Sequence, residues 1–201
     1  MKTIKTKAFL IFAIITLCTS FIYRNEITSD IDYANATYNS SRTTLNNNTS
    51  DTLKKKLVAE VHEYIKNTAP NAHNTISEHL VNHCLEHNVD ICFVMAQTQN
   101  ETNFGTMGVG RESSRRSLFG VYKKSYVDYK AAISDYFYIL KGSYLVKGKT
   151  EQDLMKNYVN SRGARYASDR KYEVNLRKSY SNIKNNTNIH KLQNQINQNN
   201  D

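Results

Sequence analysis

The apolar positions of this chain fall into helical stripes separated by short polar breaks. Leu53, Leu57, Val61, Tyr64 and Ile65 recur at helical spacing, and Thr68-Ala69-Pro70-Asn71 interrupts them. Thr75 with Glu78 is a capping-box pattern and predicts a second helix to about Glu86. His87-Asn88-Val89-Asp90 reads as a turn. The apolar run from Ile91 then predicts a third helix to about Asn103, closed by Gly105. Residues 105–125, with glycine, serine and arginine, read as a loop. Ile133, Tyr136, Phe137 and Leu140 mark a fourth helix at i, i+3, i+4 and i+7. Thr150 and Asp153 open a fifth that ends near Asn160. Ser168 or Asp169 caps a sixth, which carries Tyr172, Leu176, Tyr180 and Ile183. No segment sustains the alternation of a strand, so the predicted class is mostly α.

The two ends differ from the middle. Lys2, Lys5 and Lys7 precede an apolar run over 8–23, which Arg24 and Glu26 terminate. A positive segment followed by such a run is either a secretion signal or a single-span anchor. The run is long for the first and short for the second, so residues 1–24 predict export with cleavage and anchoring both open. Residues 25–50 are rich in Asn, Thr and Ser, the composition of a disordered linker. Residues 185–201 read as a disordered polar tail. The expected folded domain is therefore 51–184.

The chain has 201 residues and a formal charge of +9, which favours anionic partners. The longest basic cluster is Lys54-Lys55-Lys56, and no nucleic-acid module is present, so nucleic acid is not an expected partner. Cys84 and Cys92 would stand about 12 Å apart on one continuous helix, too far for a disulfide. A turn at Asn88 would bring them closer, and two buried free thiols are the preferred reading. Cys92 on an apolar face reads as core rather than nucleophile. His79, His83 and His87 share one helix face but lack a carboxylate partner pattern such as HExxH, so a solvated face is expected, with no metal and no cofactor.

Glu101 is the candidate for chemistry. It falls in the last turn of the third helix, where the helix carries partial negative charge. That field and partial burial both disfavour a carboxylate and raise its pKa. A carboxylic acid kept protonated near neutrality can protonate the leaving oxygen of a glycoside. Gln97 lies one turn earlier on the same face, in reach of Glu101 or of a sugar.

Ala96-Gln97-Thr98-Gln99-Asn100-Glu101-Thr102-Asn103-Phe104-Gly105-Thr106 resembles the AQ-x-x-x-ES-x-(F/W)-GT motif of the peptidoglycan glucosaminidase family, of flagellar and autolysin type. Ser117-Leu118-Phe119-Gly120-Val121 is similar to that family's N-(L/V)-F-(G/N)-(V/I). The helix carrying Tyr126, Tyr129, Ile133, Asp135 and Tyr136 is similar to its Y-x-S-x-x-x-SI-x-DY block. Arg165-Tyr166-Ala167-Ser168-Asp169, followed by Tyr172, resembles its closing YA-(T/S)-D-x-x-Y. The four blocks run in order across about 84–183, and the Gly108-Val109-Gly110-Arg111 loop looks like that of phage variants.

The resemblance implies a lysozyme-like α domain with a long glycine-containing active-site loop, which agrees with the predicted helix order. It implies cleavage of the β-1,4 bond between N-acetylglucosamine and N-acetylmuramic acid by a monomer acting on glycan strands in the periplasm or cell envelope. Glu101 matches the catalytic acid, Tyr166 a tyrosine of the cleft, and Phe104 and Phe119 residues that shape its floor. Gln97 joins them as a substrate-binding candidate. Many family members carry a second carboxylate on a short hairpin after the Phe-Gly block. Here only Tyr122-Lys123-Lys124-Ser125 separates that block from the next, and Glu112 and Asp128, the nearest acids, do not match. That leaves a substrate acetamido group or a held water as helper, Glu101 acting as both acid and base as in lytic transglycosylases, muramidase chemistry at the same site, or a non-catalytic wall-binding or virion module. Arg111, Arg115 and Arg116 could meet anionic stem peptides, or be solvated loop charges.

Overall fold

The computed structural model describes residues 49–112, 115–120 and 124–200. The expected signal or anchor over 1–24 and nearly all of the expected linker lie outside the described residues. Among the described residues seven helices follow in order. They are α1 (49–68), α2 (Ile76–His87), α3 (Ile91–Thr102), α4 (Tyr129–Ile139), α5 (Glu151–Lys156), α6 (Tyr172–Asn186) and α7 (Ile189–Asn200). A short 3₁₀ turn spans Gly108–Arg111, and α4 runs into a π-helical turn over Leu140–Tyr144. Among the described residues there is no strand, only one antiparallel bridge between Val159 and Arg165. The fold is mostly α. No described helix is long and apolar enough to cross a membrane.

Helix α3 is the axis of the core. Every side chain from Ile91 to Thr98 is buried, because α2, α6 and α7 all pack against it. A helix surrounded in this way needs apolar residues on all faces, and Ile91-Cys92-Phe93-Val94-Met95-Ala96 supplies them. Asp90 starts the helix by accepting the Cys92 N–H at 2.8 Å. Cys84 and Cys92 are both free and buried.

Several boundaries depart from expectation. Helix α3 ends at Thr102 rather than at a Gly105 cap. Asn103 takes the left-handed conformation (φ 45°) and donates to Gln99 O, while Phe104 N–H reaches back to Thr98 O. Asn tolerates that region better than most residues, so it stops the helix two positions before the glycine. Thr75 does not form the expected capping box. Its hydroxyl pairs with His73 Nδ1 at 2.9 Å instead. The box at Thr150 and Asp153 is present, but α5 stops at Lys156, well short of Asn160. Asp169 accepts the Lys171 N–H at 2.8 Å, one step ahead of α6, and does not cap it. His83 and His87 are not a solvated face, since both rings stack on Phe137 of α4, at 5.4 and 5.2 Å.

The largest correction concerns the C-terminal tail. Residues 189–200 form a helix, and the compact unit that begins at Ser50 continues through them. Ile189 and Ile196 are buried, each contributing about 1.5–3 kcal/mol relative to exposure. Gln193 is buried between them. Its oxygen accepts the Ile91 N–H at 3.0 Å, and its amide nitrogen donates to Val89 O at 2.8 Å. The asparagine- and glutamine-rich composition concealed an i, i+3, i+4, i+7 stripe of Ile189, Leu192, Gln193 and Ile196.

Candidate active site

The last turn of α3 holds Glu101 where a loop folds back over it. Thr102 fixes that loop: its buried hydroxyl donates to Leu118 O at 2.7 Å and accepts the Gly105 N–H at 2.9 Å. Gly110 fits against Thr102 and Gly105 so closely that a Cβ there would stand 2.8 and 2.7 Å from them. Farther along, Tyr126 N–H donates to Arg115 O at 3.1 Å and Arg116 Nη1 to Tyr126 O at 3.0 Å, which closes the base of the following loop. Asp135 on α4 anchors its far side, accepting from the Tyr126 hydroxyl at 2.7 Å and from Lys124.

Between these anchors, Gly120 lies directly on the Glu101 carboxyl. Its φ is +69°, and an added Cβ would collide with Glu101 Oε2. Only glycine meets both conditions at once. Glu101 Oε1 is buried and makes no hydrogen bond. The Tyr172 hydroxyl of α6 stands close enough to favour the charged form, yet it makes no aligned hydrogen bond. Burial outweighs that contact, and the Glu101 carboxyl is held above the usual carboxylate range. No other carboxylate among the described residues acts on it. Glu112 pairs with Arg115 at 2.6 Å, and Asp128 caps α4 by accepting the Ala131 N–H at 2.7 Å. The undescribed loop positions, 113–114 and 121–123, contain no acid in the sequence.

Tyr166 lies within electrostatic reach of Glu101, Phe119 precedes the glycine that covers it, and both line a slot that Glu101 itself does not border. The Tyr166 hydroxyl donates to Phe119 O at 3.1 Å, and its ring stacks on Tyr158 at 4.5 Å. Phe119 stacks on Tyr136 at 3.7 Å between centroids. Together with Tyr144 and Leu140 these rings line an almost wholly apolar slot of about 90 Å³.

Gln97 and Phe104 are placed differently from expectation, because neither has exposed surface. Gln97 makes no hydrogen bond to Glu101. Its oxygen accepts two buried hydroxyls, from Tyr136 at 2.6 Å and Tyr158 at 2.9 Å. It organises the aromatic wall from behind and is not positioned to touch a sugar. Phe104 adopts a left-handed backbone (φ 56°) and packs edge-on against Tyr64. Arg115 and Arg116 are engaged within the loop, whereas Arg111 is exposed.

Sequence reasoning gave Thr102, Gly120 and Tyr172 no part in the site, and read Tyr172 as a core position of the sixth helix. All three stand inside the blocks quoted above, but their contacts with Glu101 and its loop span from one residue to about seventy. Only Gly120 carried a local signal, as a glycine in a loop after an aromatic residue.

No family model, curated protein or solved structure matches this chain.

Proposed function

We propose that this chain is a peptidoglycan hydrolase of lysozyme-like fold. It would cleave the β-1,4 bond between N-acetylglucosamine and N-acetylmuramic acid, with Glu101 as general acid. One observation supports this reading above the rest. Glu101 is a carboxyl group at a helix end whose pKa is raised by burial, with one oxygen unpaired and a glycine backbone pressed against the other. In this reading the proton passes from Glu101 to the glycosidic oxygen as the bond to the anomeric carbon breaks. The carboxylate left behind then faces the positive charge that grows on the sugar. Tyr166 and Phe119 offer an aromatic wall to the ring.

A second reading is favoured because no other carboxylate among the described residues acts on Glu101. In that reading Glu101 takes a proton back from the sugar's own 6-hydroxyl and leaves a 1,6-anhydro end, as lytic transglycosylases do. Export to the cell envelope, with residues 8–23 as signal or membrane anchor, belongs to the same proposal.

The deciding experiment is digestion of purified peptidoglycan, followed by borohydride reduction and mass spectrometry of the new ends. A reducing N-acetylglucosamine end establishes the glucosaminidase. A reducing muramic acid end means a muramidase, and an anhydro end means a transglycosylase. A folded protein that sediments with wall but makes no new ends is a binding module, which would overturn the proposal.

A further inference from the structure

On the side of α3 away from Glu101, two chain segments bring three unlike donors together. Asp90 caps α3, Cys92 lies in its first turn, and His190 lies in the first turn of α7. A carboxylate oxygen, the thiol sulfur and an imidazole nitrogen all lie within 4.8 Å of one another. Asp90 Oδ2 and His190 Nδ1 are 3.9 Å apart. The corresponding edge of a zinc tetrahedron with bonds of about 2.0–2.1 Å is about 3.3 Å, so a small contraction suffices. His190 Nδ1 is buried and makes no hydrogen bond, although it faces this cluster.

We propose that Asp90, Cys92 and His190 form a divalent metal site of zinc type that fastens α7 to the start of α3. One sulfur, one nitrogen and one oxygen donor suit zinc better than a hard cation such as magnesium or calcium. The Asp90 carboxylate is already aimed, because Oδ1 accepts the Cys92 N–H at 2.8 Å and Oδ2 accepts the Tyr180 hydroxyl at 2.8 Å. Asn194 Nδ2 stands 3.2 Å from His190 Nε2. Half a turn of that amide lets its oxygen accept Nε2–H, which leaves the Nδ1 lone pair for the metal. A polar pocket of about 220 Å³, lined by Glu151, His190 and Asn194 among others, leads to the site and has room for water as a fourth ligand.

Charge balance favours this cluster over the other candidate. A dication, a thiolate, a carboxylate and a neutral imidazole sum to zero, which suits a partly buried position. Loading replaces the thiol proton with the metal and releases that proton to solvent. The alternative cluster of His83, Glu86 and His87 would hold a dication with a single negative charge, beside Lys130 and Lys141.

The test uses the full-length, reduced protein freed of metal and titrated with cobalt(II), then zinc. The expected result is one equivalent bound, a near-ultraviolet thiolate-to-cobalt band, and displacement of that band by zinc. Cys92→Ser should erase the band, and His190→Ala should weaken zinc binding by about ten-fold or more. A His83→Ala/His87→Ala variant should keep both. Folded wild-type protein with no thiolate band at excess cobalt overturns the proposal, whatever the variants do. So does a band that survives Cys92→Ser, or metal binding that disappears in the His83/His87 variant. Should Cys92→Ser fail to fold, His190→Ala decides: a cobalt band and zinc affinity unchanged in that variant overturn the proposal. Because the readout is spectroscopic, the outcome is independent of any wall-degrading activity.

Discussion

Glu101 and Glu173 both lose water on folding, one on α3 and the other in the first turn of α6 beside Tyr172. Burial pushes both carboxyls up, yet their net shifts run in opposite directions. Glu173 accepts the Tyr158 N–H at 3.1 Å and a two-pronged contact from Arg165 at 2.8 and 2.9 Å. These donors overcome its burial and hold it below the usual carboxylate range. Among the described residues Glu101 meets no cation; it has one unpaired oxygen and only the Tyr172 hydroxyl in partial opposition, so burial prevails there. Among the described residues, the donors that reach Glu173 and not Glu101 account for the opposite directions of shift. A satisfied carboxylate is a brace, and an unsatisfied one is a reservoir for a proton.

The strongest way to break the comparison is Glu101→Gln. Wall lysis should fall by about 10²–10⁴-fold, the usual contribution of a general acid. The domain should remain folded by circular dichroism. Linkage adds a sign. The Glu101 pKa is raised in the folded state, so its favourable contribution is complete below the ordinary carboxylate pKa. It is lost as pH rises through the raised value. Glu101→Gln should therefore melt higher than wild type above that value, and a lower melting point there would contradict the buried, unpaired carboxyl.

Glu173→Ala should do the reverse, costing about 1–3 kcal/mol in denaturant titration because the buried Tyr158 N–H loses its acceptor. Its lowered pKa gives the opposite sign: the contribution is present above the ordinary carboxylate range and disappears as pH falls through the depressed value. The wild-type protein should lose stability in acid more steeply than Glu173→Ala does. Gly120→Ala comes next. It forces a side chain into a left-handed backbone and against Glu101, a strain of about 1–3 kcal/mol. A higher KM or lower kcat with unchanged secondary structure would place the loop over the acid, and full activity would remove it from the site.

Tyr172→Phe should have the smallest effect and sharpens the comparison most. It deletes the group that opposes burial, so the Glu101 pKa should climb further. The alkaline limb of the rate profile would move to higher pH, with little change in melting temperature. An unshifted limb would mean that Tyr172 only packs.

Helix positions were legible wherever the apolar stripe was regular, as in α1 and α4. The stripe records which face is buried, and burial is a local demand on residue type. Helix α7 escaped because composition masked its stripe and because Gln193, a polar residue, provides a core contact by capping α3. Capping by Asn103 rather than Gly105 also went unread, since both residues accept the left-handed region and only loop packing chooses between them. Within the site, Glu101 was found through its setting at a helix end and through four ordered blocks. Gln97 and Phe104 lie on a plausible face but point into the interior.

By itself, the sequence determined the helical class, the path of the core stripes and the glutamate that could carry a proton. Those follow from periodicity and from the chemistry of one helix end, which are properties of neighbouring residues. The tertiary structure alone decided that Glu173 meets a cation while no described cation reaches Glu101, that Gly120 covers the carboxyl, and that the final helix closes against Asp90 and Cys92. A pKa, a glycine contact and a shared donor cluster depend on which distant groups arrive within a few ångströms, and spacing along the chain does not encode that.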